Sequence, residues 1–455
     1  MPTDRKNNPI RGKGQMRRSS EQSYTLLDSA VVAVTDLLNF DAAADALLSR
    51  FFKANPLLGQ RDRGFVADIC WTVLRQKRVL GQFAQTFPSH KDSVTQGARP
   101  ISLPRRLCLL ALLQLKGLVG VEQYATHGEM EVLRNIAGQL KDLGGLPAAV
   151  RLNLPEWLYD RLHAQYGETT EVLGQGLMQH AGLTLRVNTL KSNRQDLQTA
   201  LGLEGLKTTT TLISPWGLAL EGHPQLAKSP AFAAGMAEVQ DEGSQLLALI
   251  TAAKRGQMVA DFCAGAGGKT LALGMMMKNT GRLYAFDVST GRLKKLAPRL
   301  ARSGLSNVTP IAIEHERDQR IKRLSNKFDR VLIDAPCSGM GTLRRNPDLK
   351  WRQTEKDLAE LTVKQASILD SASHLLKIGG RLVYATCSLL AAENEDIVTA
   401  FLATHPQYEC VPAATVLAEQ DIALVSHETD DNYLRLLPHI HQTDGFFAAV
   451  LQRIA

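Results

Sequence analysis

The stretch Val259–Thr270, VADFCAGAGGKT, constrains this chain more than any other. An apolar run ends in a turn holding Gly265, Gly267 and Gly268, and a helix-forming run follows. Glycines in such a turn let backbone approach a ligand, and the helix N-terminus behind it favours negative charge. The pattern then repeats. Strands are expected at MVADFC, RLYAFDV, VTPIAI, FDRVLIDA, RLVYATC and DGFFAAVLQR. Helices are expected between them at TLALGMMMKN, STGRLKKLAPRLARSG, TEKDLAELTVKQASILDSASHLLKIG and residues 391–404, with Gly304 and Gly379 as C-caps. Strands alternating with helices build a parallel, doubly wound sheet. Residues 236–455 are therefore expected to form a Rossmann-like α/β domain.

Two nucleotide readings compete for the glycine turn. Gly268-Lys269-Thr270 ends like a phosphate-binding P-loop, but that motif needs glycine where this chain has Cys263. CAGAGG does not fit the GxGxxG dinucleotide fingerprint either. Asp287 ends the next strand, roughly 20 residues on, where an acid binds ribose hydroxyls in doubly wound folds. Capping of the following helix is the plainer role for the same residue.

Two cysteines stand beyond later strands, Cys337 in VLIDAPCSGMG and Cys387 in RLVYATCSLLAAENED, each followed by serine. Free cysteines are often small buried hydrophobes. These sit in polar turns at the strand edge where such sheets bind ligands, with Asp334 beside them. That set suits methylation of carbon 5 of cytosine. A thiolate adding to carbon 6 makes carbon 5 nucleophilic, and an acid near ring nitrogen 3 stabilises the charge that develops. A base then removes the carbon-5 proton and the thiol departs.

Before this domain the texture differs. Residues 23–150 read as an all-α bundle. Within it Asp41 is expected to cap AAADALLSRFFKA, and Pro104 to open the helix RRLCLLALLQLKG. Residues 151–235 read as a small α/β module, with strands in LTLRVNTLK and WGLALEG around the helix SNRQDLQTALG. Residues 1–22 form a basic tail expected to be disordered, either solubilising or a phosphate-binding arm. The net charge of +8 favours an anionic partner, with nucleic acid ahead of an acidic membrane surface. No apolar run is long enough to span a bilayer and no signal-type segment opens the chain, so a cytoplasmic protein with reduced thiols is expected. The six cysteines include no CxxC pair, and His439 and His441 lack further ligands, so no metal is expected. The basic turn of Arg344 and Arg345, close to Trp351, is expected to contact phosphate.

The motifs DFCAGAGGKT, FDVSTGRL, DAPCSGMGTLRRNPDLKW, YATCSLLAAENE and LPHIHQTDGFF, in that order, resemble the RsmB/Sun family of RNA (cytosine-5) methyltransferases. The resemblance implies a class I methyltransferase domain that uses S-adenosyl-L-methionine. It implies Cys387 as nucleophile, Cys337 as the residue aiding product release, and Asp334 as a contact to the base. The cofactor set it implies is Cys263, Ala264, Gly265, Ala266, Gly267, Gly268 and Lys269, with Asp287, Arg292, Glu314 and Asp334. Two departures stand out. Ala266 replaces the family's usual proline, and Glu314 stands where aspartate is usual, with His315 and Asp318 as competing positions. The small module resembles the family's RNA-recognition-like segment, with Arg186 and Asn188 facing substrate. The helices around RDRGFVADICWTVLR resemble the NusB-type RNA-binding domain. The implied partner is RNA, ribosomal RNA of the small subunit first, met by a monomer. Transfer RNA is the enzymatic alternative, and a non-catalytic ribosome assembly factor the other.

Overall fold

A computed structural model describes residues 25–88, 101–222, 224–423 and 432–455. The basic tail, 1–22, lies outside the described residues. The chain divides into two compact units between Pro155 and Glu156.

The first unit is helical. Its main helices are Leu26–Leu37, Ala44–Ala54, Gln60–Ala84, Leu103–Glu122 and His127–Ala137, packed on one apolar core. Thr25, Ser102 and Thr126 cap three of them through side-chain oxygens. Two sequence expectations need correction. Ala43, not Asp41, precedes Ala44–Ala54 as N-cap, and Ala43 makes no side-chain cap bond. Ser102 caps the helix that begins at Leu103, so Pro104 is its second residue; proline is tolerated there because first-turn N–H groups have no intrahelical partner. No helix among the described residues is long and apolar enough to cross a membrane.

The second unit holds two sheets. The smaller contains β1 (Leu183–Val187), β2 (Thr208–Thr210), β3 (Gly217–Leu220) and β4 (Ala237–Val239), all antiparallel in the order β2-β3-β1-β4. Arg186 and Asn188 do not face a substrate here. Arg186 is 2% exposed and donates to Gln240 Oε1 at 2.6 Å. Asn188 donates to the carbonyls of Gly235 and Ser303, both at 2.9 Å. The alternation that sends Leu185 and Val187 into one core sends Arg186 to the other buried face, against the helix Gly268–Met276.

The larger sheet contains β5 (Met258–Asp261), β6 (Arg282–Asp287), β7 (Val308–Ala312), β8 (Phe328–Asp334), β9 (Leu376–Thr386), β10 (Tyr408–Val411), β11 (Tyr433–Leu436) and β12 (Phe446–Arg453). Its order is β10-β12-β9-β8-β5-β6-β7, with β11 also paired to β12. The central pairs are parallel, and β12 runs antiparallel to β9. Chain order reverses between β5 and β8, and ligands bind such sheets at that reversal, beyond the carboxyl ends of the strands. Gly304 ends its helix in the left-handed region, as expected. Gly379 does not cap a helix: the helix ends at Ser373, and Gly379 takes φ +82° inside β9. β9 begins early because Leu376 already pairs with Phe328 on β8.

Candidate active site

The glycine turn follows β5 directly. Phe262 and Ala264 prolong the ladder by donating to Leu332 and Phe286 carbonyls at 2.8 and 2.9 Å. Gly265 (φ +57°) and Gly267 (φ +86°) then turn the chain into the helix Gly268–Met276. A Cβ on Gly267 would lie 2.1 Å from Leu296 Cδ1, whereas one on Gly265 would meet open space. Gly267 is thus required by packing and backbone, Gly265 by backbone alone. Ala266, lacking proline's fixed φ, is held from outside: Arg299 donates to its carbonyl at 2.7 Å and is anchored by Glu238 at 3.0 Å.

Asp287 closes β6 and is 2% exposed. Its carboxylate accepts the N–H groups of Gly265 and Ser289, both at 2.7 Å, and pairs with Arg292 at 3.1 Å. It fixes the glycine turn in place, and a carboxylate retains further lone-pair sites for a diol. Asp334 closes β8 and takes an ion pair from Lys269 at 2.7 Å. Burial lowers the Lys269 pKa, but the charge and hydrogen bond of Asp334 outweigh it and the ammonium is stabilised. Only one Asp334 oxygen is engaged among the described residues.

Cys337 and Cys387 follow β8 and β9, adjacent parallel strands, and this adjacency brings together residues far apart in sequence. Their sulfurs are 3.2 Å apart, and the Cys387 N–H points at Cys337 Sγ at 3.3 Å. Both are free thiols. Cys337 is pushed well above the ordinary thiol range, first by its hydrogen bond with Cys387, then by burial and by the charges of Cys387 and Glu393. One cavity of about 790 Å³ is lined by Cys263, Ala264, Gly265, Ala266, Gly268, Lys269, Asp287, Arg292, Asp334, Cys337 and Cys387. Cys263 is a third thiol there, held neutral by burial.

Glu314 is not among the lining residues. After β7 ends, Ile313 turns inward at 5% exposure and Glu314 turns out, its side chain 83% exposed and 3.9 Å from Arg320. Asp318 is no substitute, since it binds Arg320 and the Glu314 N–H. The acid that reaches the cavity is Glu316, whose carboxylate is held by Lys364 at 2.5 Å and Ser367 at 2.6 Å. Against burial, these bonds bring it down to about 2. Arg344 and Arg345 also differ from expectation, because both face protein. Arg344 donates to the carbonyls of Gln442 and Thr443, and Arg345 bridges Asp444 and Asp241 at 2.6 and 2.8 Å. The expected phosphate contact from this turn is thereby displaced by internal ion pairs that tie β4's exit to the start of β12. Among the described residues no cluster could hold a metal ion.

Sequence reasoning missed several cavity residues. Asp261 is fully buried, accepts from Thr270 at 2.6 Å, and burial pushes it up to about 7. Asp444 is pushed up to about 6, by burial first and Asp241 second, against Arg345. Neither position carried a local signal beyond an acid beside a strand.

Gly341 and Gly445 brace the Cys387 turn. Gly341 donates to the Cys387 carbonyl and accepts from Gly445, both at 2.8 Å. A Cβ on Gly341 would stand 2.1 Å from the Gly445 oxygen and 2.8 Å from that of Cys387. Gly341→Ala is expected to destabilise the second unit by about 1–3 kcal/mol, read by thermal unfolding, and to lower kcat with little change in cofactor affinity. Wild-type stability and kcat in this variant would contradict the bracing role.

The strand order, the glycine turn and the ribose-type acid define a class I S-adenosylmethionine-dependent methyltransferase. The residues fit that cofactor. The turn presents backbone at the helix N-terminus, Asp287 suits a ribose diol, and Val288 and Ile313 offer apolar surface in the same cavity. The model of the family described as 16S rRNA methyltransferase RsmB/F matches residues 248–452, and an RsmF/B-like ferredoxin-like domain matches residues 154–226. A probable ribosomal RNA small subunit methyltransferase B of Synechocystis is 31% identical, over 93% of this chain and 98% of the relative. The crystal structure of PH0851 superposes with TM-score 0.73 at 26% identity, covering 94% of this chain and 98% of that one. A methyltransferase homolog protein from Pyrococcus horikoshii superposes with TM-score 0.58 at 30% identity, covering 67% and 97%. The chain belongs to the RsmB/F family of RNA cytosine-5 methyltransferases.

Proposed function

We propose that this protein methylates carbon 5 of a cytosine in small-subunit ribosomal RNA, with Cys387 as nucleophile and Cys337 as the group that assists its release. The observation that carries this reading is the pair of free thiols in contact at the wall of the cavity that also holds the Asp287–glycine turn and the Lys269–Asp334 pair. When bound, S-adenosylmethionine supplies an electrophilic methyl on a sulfonium. The chain's residues do the rest. Cys387 thiolate donates its electron pair to carbon 6, and the ring's 5,6 double bond becomes the pair that takes methyl at carbon 5. Asp334, fixed by Lys269, accepts from the amino edge of the cytosine, and the Lys269 ammonium offsets the negative charge that develops on the ring. A base then takes the carbon-5 proton, the double bond re-forms, and the carbon–sulfur pair returns to Cys387. Cys337 stabilises that departing thiolate by a hydrogen bond from its own S–H.

The ribosomal substrate rests on the names of relatives such as the Synechocystis protein. The reading includes the N-terminal helices as an RNA-binding element, action in the cytoplasm, and a monomer. Bisulfite sequencing of RNA from cells lacking the protein tests the substrate. One unconverted cytosine of small-subunit ribosomal RNA is expected to disappear and to return with the wild-type gene. Loss of a transfer RNA signal instead would move the substrate to that RNA.

A further inference from the structure

The two cysteine turns are joined beneath the cavity by one side chain. Ser338 and Ser388, each directly after a cysteine, are both 1% exposed, and Glu393 is 0% exposed. The Glu393 carboxylate accepts the Ser338 N–H at 2.8 Å and its Oγ–H at 2.5 Å. It also accepts the Ser388 hydroxyl, and Gln365 Nε2 at 3.0 Å. Gln365 further donates to the Pro336 carbonyl at 2.9 Å. The next residue, Asn394, accepts from Thr386 Oγ1 at 2.5 Å and donates to the Ser388 carbonyl at 3.1 Å. The four donors that converge on Glu393 therefore come from the Cys337 turn, the Cys387 turn and the helix behind them.

A carboxylate this deep is costly unless paired, yet Glu393 has no ion-pair partner among the described residues. What it has is four donors for its four lone-pair sites. One oxygen takes two N–H groups and the other two hydroxyls, which can accept as well as donate, so an amide keeps the shape of the staple and removes its charge. Glu393 holds both turns by hydrogen bonds and its charge helps keep the Cys337 thiol up, while Lys269, bonded to Asp334, lines the cavity with both sulfurs. A fixed negative charge disfavours a thiolate next to it, and an ammonium favours one.

We propose that Glu393 is a positioning residue for the reaction: its carboxylate staples the Cys337 and Cys387 turns together and places the thiolate on Cys387. The proposal rests on the roles given above to the two cysteines, but its test does not. Alkylation of each cysteine by iodoacetamide is followed against pH by peptide mass spectrometry, in the full chain. In the wild type Cys387 is expected to react first and Cys337 to lag. In Glu393→Gln the preference is expected to fall about tenfold as Cys337 begins to ionise at lower pH. In parallel kcat drops, while KM for RNA and the affinity for S-adenosylmethionine hold. Glu393→Asp keeps the charge but is one methylene short, so the alkylation order persists while kcat falls. Ser338→Ala and Ser388→Ala each remove one arm; should Glu393→Gln fail to fold, they are expected to show the same shift in smaller measure. An unchanged alkylation pattern in a folded Glu393→Gln, or in both serine variants, overturns the proposal. A shifted pattern alongside a fully active Cys387→Ala would instead keep the staple and remove the catalytic assignment.

Discussion

Cys387→Ala is expected to stop methyl transfer while S-adenosylmethionine still binds. Without a thiolate at carbon 6 the pyrimidine has no route to a nucleophilic carbon 5, so the loss falls on the chemical step. A reduction on the order of 10⁴-fold or more, about 5.5 kcal/mol of barrier, is the scale to expect when a covalent nucleophile is removed. Cofactor affinity is expected to hold because its contacts lie elsewhere. The glycine turn follows β5 and Asp287 ends β6, whereas Cys387 follows β9. The substitution is also mild for the fold. Cys387 is only partly buried, and its backbone N–H and carbonyl contacts do not need the sulfur. Single-turnover transfer with labelled cofactor, beside isothermal titration, separates the two effects. Retained transfer would remove Cys387 from the nucleophile's role.

Cys337→Ala is expected to do the reverse: the covalent step proceeds and the product stays attached. The sulfurs are 3.2 Å apart, so the Cys337 S–H is placed to receive charge as the carbon–sulfur bond breaks. A hydrogen bond to a charged group contributes about 1.5–3 kcal/mol, enough to slow release roughly 10- to 100-fold. RNA should then travel with the protein as a denaturant-resistant band on a gel. The double variant Cys337→Ala/Cys387→Ala should show no such band, because no bond can form. Absence of the band in the single variant would assign the release step to another group. The two outcomes discriminate between thiols that a single activity assay would treat alike.

Much of the site was legible locally. The glycine turn, Asp287, Asp334 and the two cysteines each sit within a residue or a few of a strand's end, and strand ends can be read from apolar runs and turn residues. Where reading failed, alternation or partnership decided. Glu314 was the plausible acid by position along the chain, but Ile313 took the inward direction and carried Glu314 outward. Arg344 and Arg345 looked like phosphate ligands because the acids that neutralise Arg345, Asp241 and Asp444, lie far away in sequence. The short edge strands β10 and β11 gave too little pattern to be seen, and β9 outran its expected start through its pairing with β8.

The sequence by itself determined the chemistry available: which side chains carry a thiol, an acid or a flexible backbone, and at which strand end each stands. That information is local, because a glycine turn or an apolar run needs only its neighbours to be recognised. Only the tertiary structure decided which of those groups meet. Parallel pairing of β8 with β9 put one sulfur against the other, and burial of Glu393 between Ser338 and Ser388 keeps them there. Strand order and side-chain direction depend on packing of the whole sheet, and no stretch of chain read alone contains them.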